Sequence, residues 1–308
     1  MSSLNISISP HIRSSRTTQK IMLDVIIALI PALIASVVIF GVRALVLTVI
    51  SVLVCVLCEY VWEKLMHREV TIFDLSAVVT GILIAYNVPV GMPVWQLIVG
   101  DVAAIIIAKM LFGGIGCNFV NPALVGRIFI MFSFATEITT YTYPAGGADA
   151  LSSATPLTVM DKLDWSNFTQ LFLGSHGGVI GGTCAVALLL GGVYLVLRKV
   201  IKPIVPLCFI GSVALFTWAF GGAQPILSVF AGGVMLGAIF MATDYVTSPI
   251  TNWGKAIFGL ACGLITAFIR VFGNYAEGVT FAILIMNLVV PYINDLTMKK
   301  PLGGAVKK

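Results

Sequence analysis

Ten apolar windows, most of them close to the ~20 residues needed to cross the hydrocarbon core of a bilayer, follow one another along this 308-residue chain. They fall at 21–41, 42–62, 73–88, 95–112, 122–136, 177–198, 202–220, 225–243, 253–272 and 276–294, several of them short or interrupted by Gly and Pro. Charged residues make up 10% of the chain and hydrophobic residues 59%, whereas soluble domains are roughly a quarter charged. A water-soluble fold cannot hide that much apolar surface. The predicted class is therefore an all-α polytopic membrane protein of about ten transmembrane helices. The start, 1–20, is polar and basic and has no cleavable signal pattern, so the first helix is expected to act as its own insertion signal.

The net charge of +5 does not point to nucleic acid, because the basic residues sit in short clusters between apolar runs rather than in a stripe. They report orientation instead, since cytoplasmic loops hold an excess of Lys and Arg. With ten crossings and both termini cytoplasmic, only Arg43, Lys162 and Arg270 of the 18 Lys and Arg residues fall on the outer side. A missed or extra span would scramble that partition. The predicted organisation is a cytoplasmic segment 1–20, a first five-helix half 21–136, an extracytoplasmic loop 137–176, a second five-helix half 177–294 and a cytoplasmic basic tail 295–308. The long loop is acidic, with Glu137, Asp149, Asp161 and Asp164 against Lys162. Loops of this length are commonly functional; the alternative is an inert flap.

The two halves share a repeat. Gly81 to Pro93 aligns with Gly237 to Pro249, and Phe112-Gly113-Gly114 aligns with Phe272-Gly273-Asn274. In the ten-span arrangement each pair lies on opposite sides, so the halves are predicted to be inverted repeats. Such repeats place substrates or ions where broken helices meet. The breaks at Asn87 to Pro93, Gly113 to Pro122 and Thr243 to Pro249 are the candidates, or else tight turns.

The six cysteines lie in or beside apolar segments, and the long loop has none. No disulfide framework is expected. Cys55 and Cys58 are one helical turn apart inside a span and read as small packing residues rather than metal ligands. His11, His67 and His176 are scattered, exposed by position, and carry no assigned role.

Chemistry concentrates in the outer loop at Asp149-Ala150-Leu151-Ser152-Ser153-Ala154-Thr155-Pro156-Leu157. Pro156 biases Thr155 towards extended backbone, the form a modifying enzyme can hold. The D-x-x-S-S-A-T stretch resembles the flavinylation motif, usually D-x-x-[ST]-G-A-T, in which a flavin transferase esterifies the final threonine with FMN phosphate. Gly113-Gly114-x-Gly116-x-Asn118-x-x-Asn121-Pro122-Ala123, Thr243-Asp244-x-x-Thr247-Ser248-Pro249 and Glu277-Gly278-x-x-Phe281-Ala282-Ile283-Leu284 are similar to the RnfD/NqrB family over nearly the whole chain. One departure is Ser153, where the family usually has glycine. The short lead before Ile21 favours the RnfD branch, whose complexes couple ferredoxin and NAD to a Na⁺ or H⁺ gradient.

The resemblance implies a bacterial cytoplasmic-membrane flavoprotein for electron transport and ion transport. It implies FMN joined to Thr155 by a phosphoester, with Asp149 and Ser152 helping to hold the segment. It also implies a second, non-covalent flavin such as riboflavin near Asn118 and Asn121, and partner subunits RnfA, RnfB, RnfC, RnfE and RnfG that hold the other redox centres. The chain itself shows no dinucleotide-binding glycine fingerprint and no metal-ligand cluster, so it is not expected to catalyse alone.

Asn118 and Asn121 are read either as flavin contacts or as caps of the helix beginning at Pro122, which suits Asn121. Arg127 offers a cation to a flavin or snorkels to lipid phosphate. Asp101 and Asp24 are carboxylates in or near the hydrocarbon, where ion or proton traffic is the default suspicion, unless each sits at the interface. Two other classes compete with the redox reading: an NqrB-like subunit of a Na⁺-pumping NADH:quinone oxidoreductase, and a urea-channel-like solute transporter, which has no use for the Thr155 motif.

Overall fold

In a computed structural model the described residues are 16–142, 152–153, 168–221, 224–273 and 277–298; Asp149, Thr155 and His11 lie outside them. Four helices are long and apolar enough to cross a membrane: α1 (Thr18–Phe40), α2 (Val42–Leu65), α12 (Asn252–Phe272) and α13 (Val279–Thr297). At 1.5 Å per residue they span roughly 28–36 Å. Thr17 caps α1, its hydroxyl accepting from Lys20 N at 3.3 Å. Gly41 alone joins α1 to α2 and needs its positive φ of 82° to reverse the chain in one residue.

The surface is apolar, unlike that of a soluble protein, and the largely apolar interior also holds buried polar side chains. Val38 is 78% exposed and Leu296 86%, while Ser51, Glu59 and Asp101 are 0% exposed. Apolar side chains thus face outward as a lipid-facing surface demands, and polar ones face the helix bundle.

The remaining windows form shorter pieces. These are α3 (Ser76–Tyr86), α4 (Val94–Ala103) running into a π-helical stretch Ala104–Met110, α5 (Pro122–Ser133), α6 (Ala135–Thr139), α7 (Phe168–Leu173), α8 (Ala185–Leu197) and α9 (Ile204–Ala219). The window at 225–243 is broken into α10 (Pro225–Phe230) and α11 (Val234–Leu236), the latter continuing as a π-helical stretch Gly237–Met241. Two strands of two residues each, β1 (Tyr141–Thr142) and β2 (Ser152–Ser153), pair antiparallel with Tyr141 opposite Ser153.

Two windows are corrected in detail. The third, 73–88, contains only the eleven residues of α3 as α-helix, about 16 Å long. The sixth, 177–198, is helical only from Ala185. Their non-helical ends meet: Ile180 N donates to Val88 O and Gly181 N to Tyr86 O, both at 3.0 Å, around an antiparallel bridge between Pro89 and Val179. The backbone freed by one broken helix is satisfied by the other, which an apolar environment requires.

Close helix approach depends on small residues. On α12, Gly259 and Gly263 lie against Phe209 and Ser212 of α9, the small-xxx-small pattern of membrane helices. On α8, a Cβ at Gly191 would sit 2.2 Å from the carbonyl oxygen of Ala28 on α1. Because that neighbour is backbone, it cannot rotate away. Gly191→Ala is expected to cost about 1–3 kcal/mol, read as a lower unfolding midpoint of the purified chain in detergent; an unchanged midpoint would refute this α1–α8 contact.

Candidate functional site

All three suspected breaks are non-helical joints between helices. Two of them meet at one cleft. Asn118 and Asn121, from the glycine-rich joint before α5, line it together with Thr243, Asp244, Tyr245 and Val246 from the joint after Met241. The start of α1 and α3 supply Ile21, Val25, Ser76, Thr80 and Leu83, and Lys109 reaches it from the π-helical stretch. Residues of both halves of the chain thus share one cavity of about 90 Å³.

Asn121 caps α5. Its Oδ1 accepts from Ala123 N at 3.0 Å, its Nδ2 donates to Met241 O at 3.4 Å, and Pro122 occupies the first helical position, where no N–H is needed. Asn121 therefore ties the two joints together with both ends of its amide in use. Asn118 differs. Its Nδ2 donates to Val120 O at 3.2 Å, and its Oδ1 has no protein hydrogen bond among the described residues. Apolar walls with a few directed polar groups are what a planar aromatic ligand wants. The cavity is well below the ~300–1,000 Å³ of small-molecule pockets, so a tricyclic ring requires wall side chains to move.

Arg127 does not reach this cleft and does not snorkel. It is 5% exposed, its Nη1 donates to Asn87 Oδ1 at 2.5 Å, and its guanidinium pairs with Glu277. The lipid-phosphate alternative is corrected: burial between α5, the end of α3 and the lead into α13 leaves no path to the headgroups. Lys109 is likewise buried. It counts towards the cytoplasmic side by sequence, yet it is 2% exposed and forms a 2.6 Å ion pair with Glu59.

Asp101 is fully buried in α4. It accepts from Ser51 Oγ at 2.7 Å through Oδ1, and its Oδ2 has no partner. Asp24 is 6% exposed and accepts through Oδ1 from Tyr194 Oη at 3.1 Å and from Arg198, whose side chain is 55% exposed. That arrangement holds the start of α1 against the end of α8. His176 is 8% exposed rather than exposed, with Nδ1 3.3 Å from Gln170 O; the glycines that follow it let neighbouring chain close over the ring.

Of the stretch Asp149 to Thr155, the backbone of Ser152 and Ser153 is described, and it is held in β2 against β1 just beyond α6. Sequence reasoning passed over Glu59 and Ser76, and named Asn87 only as the start of a break and Glu277 only within a family-like run; the fold brings all four to polar contacts inside the bundle. A signal for Glu59 existed: Ser51, Cys55, Glu59 and Glu63 recur every four residues along an apolar span.

Comparison with known proteins supplies the context for this geometry. The model of the NQR2, RnfD, RnfE family matches residues 5–303. The chain is 43% identical over 306 residues to the D subunit of the Na(+)-translocating ferredoxin:NAD(+) oxidoreductase complex of Acetobacterium woodii, covering 97% of this chain and 95% of that protein. It is 39% identical over 316 residues to the D subunit of the proton-translocating ferredoxin:NAD(+) oxidoreductase complex of Clostridium ljungdahlii, covering 97% and 96%. It is 31% identical over 342 residues to the D subunit of the ion-translocating oxidoreductase complex of Actinobacillus succinogenes, covering 96% of each.

Proposed function

The chain belongs to the NQR2, RnfD, RnfE family, and from that membership we propose that it is the membrane D subunit of an ion-translocating ferredoxin:NAD(+) oxidoreductase complex. The observation that carries this reading is end-to-end similarity to subunits bearing that name, on a chain whose long helices are built to cross a membrane. It is one part of a multi-subunit oxidoreductase. The partners are the subunits RnfA, RnfB, RnfC, RnfE and RnfG, with a flavin transferase for maturation.

The finer organisation is part of the same proposal. The chain crosses the bacterial cytoplasmic membrane ten times as two inverted five-helix halves, 21–136 and 177–294, with both termini cytoplasmic and the loop 137–176 outside. Four long helices, paired half-length ones and the meeting of two joints at one cleft support this arrangement. FMN is joined to Thr155 as a phosphoester, with Asp149 and Ser152 holding the segment. When bound, a flavin supplies one-electron carriage between partner centres; the chain positions it and keeps it on the outer side.

A second flavin lies against Asn118, with Asn121 fixing the wall behind it. The open Oδ1 of Asn118 supports this assignment, as does the apolar remainder of the cleft. Arg127 serves the joint at Asn87 rather than this ring. Asp101 lies on the ion path, while Asp24 keeps α1 against α8 near its mouth.

Purified complex from native membranes, assayed with reduced ferredoxin and NAD⁺, tests the proposal: coupled electron transfer with this chain present supports it, and a chain that purifies alone, colourless and without partners sinks it. Asn118→Leu is expected to remove the flavin released by denaturation while sparing flavin that stays on the polypeptide. Equal flavin release from variant and wild type would exclude the cleft.

A further inference from the structure

Along α2, Ser51, Cys55, Glu59 and Glu63 are all buried and lie on one stripe, each four residues from the next. A stripe of this kind in an apolar helix is costly unless it has partners or work. Its partners come from three other segments. Lys109 Nζ donates to Glu59 Oε1 and to Ser76 Oγ, each at 2.6 Å, and Ser76 Oγ donates to Asp74 Oδ1 at 2.6 Å. Asp74 is half-exposed at the turn before α3. One helical turn deeper than Glu59 is Cys55, fully buried on the same stripe, and Ser51 closes the far end on Asp101 at 2.7 Å. Glu63, at the C-terminal end of the stripe, is held by Thr71 and faces a cleft of about 230 Å³ that also contains Arg68 and Glu69.

From Glu63 to Ser51 the stripe runs twelve residues, about 18 Å, which is over half the thickness of the hydrocarbon core. Two fully buried carboxylates along it, Glu59 and Asp101, each have one oxygen without any hydrogen-bond partner. Buried polar atoms are normally satisfied, and exceptions call for an explanation.

We propose that Asp74, Ser76, Lys109, Glu59, Cys55 and Asp101 form a proton relay that loads Asp101 from the end of α2 where Glu63 lies. This rests on the ion-translocating reading above and names the ion. A proton needs only hydrogen-bonding atoms in sequence, each transfer breaking one N–H, O–H or S–H bond as the next forms, with no electron moved. A metal cation needs a cage of several oxygens. Around Asp101 the hydrogen-bonded polar neighbours are the Ser51 hydroxyl and, bonded to it in turn, the Gly81 carbonyl. The unpartnered oxygens of Glu59 and Asp101 are the places where the moving proton resides. The charged and titratable groups facing the relay are Glu63, Cys55 and Cys58 from α2, Asp74 from the turn before α3, and Lys109 from the π-helical stretch.

The test uses the whole complex in inverted membrane vesicles, driven by reduced ferredoxin and NAD⁺. Proton uptake is read as internal acidification, sodium uptake as accumulation of radioactive Na⁺, and electron transfer is measured with and without a protonophore. Asp101→Asn and Glu59→Gln are each expected to cut proton uptake at least tenfold and at least five times more than they cut uncoupled electron transfer. Ser51→Ala, which leaves both acids in place, is expected to slow uptake about threefold and guards against a variant that simply fails to assemble. Wild-type vesicles that accumulate Na⁺ but do not acidify would overturn the relay, as would variants that acidify like wild type. Vesicles in which the wild type shows no ferredoxin-driven electron transfer would instead overturn the function proposed above.

Discussion

Thr155→Val is expected to abolish the yellow fluorescence of the denatured, washed polypeptide in a gel, while Thr155→Ser retains it. The substitution exchanges a hydroxyl for a methyl of the same shape, so what it removes is the one oxygen able to form a phosphoester in the motif's last position. A threonine hydroxyl is a poor nucleophile by itself. On the proposed reading, attachment depends on a transferase holding the segment extended. β2 pairs Ser152 with Thr142 and Ser153 with Tyr141, so these two residues of the stretch are already in strand form. This also accounts for serine where the family usually has glycine, because an extended residue needs no left-handed backbone and serine adopts it freely. Expression in a host with an active flavin transferase, followed by mass measurement of the loop peptide, reads the result. Fluorescence that survives in the valine variant would place the flavin elsewhere and remove the electron-carrier reading from this loop.

What the one-dimensional pattern could show was set by what it averages. Each of the ten windows contains helix, because burying backbone in lipid permits little else. Window composition carries no φ or ψ, so it could not separate the eleven helical residues of α3 from the turn before them and the joint at Asn87 after them. The glycines and prolines of the three joints did carry that signal, and the joints lie where those residues cluster. Charges were harder to read. Lys109 and Arg127 look like markers of a cytoplasmic loop until their partners are known, and those partners, Glu59 and Glu277, lie 50 and 150 positions away along the chain. By contrast, Asn121 as a cap followed from local chemistry, because a cap and its target are two residues apart. Contacts local in sequence were legible; long-range pairs of buried charge were not. The stripe on α2 falls between the two, visible as a four-residue period but without meaning until Asp101 and Lys109 were placed opposite it.

The pair at the centre gives the second large effect. Arg127 on α5 joins Asn87, at the broken end of α3, to Glu277, which leads into α13. First-half and second-half segments are thereby pinned at one buried point. Arg127→Met leaves the Glu277 carboxylate buried without its cation, a loss of about 3–5 kcal/mol, and is expected to lower the inactivation midpoint on the order of 10 °C. Glu277→Met strands the guanidinium and is expected to do the same. The double variant, with both charges replaced by apolar side chains of similar length, is expected to recover most of the loss, because desolvating an ion pair offsets much of what the pair contributes. Recovery in the double variant would identify the pair as a fastening between the halves. Were Arg127 instead the cation that a flavin requires, the double variant would regain its midpoint but not electron transfer, and the difference between those two readings decides the role of Arg127.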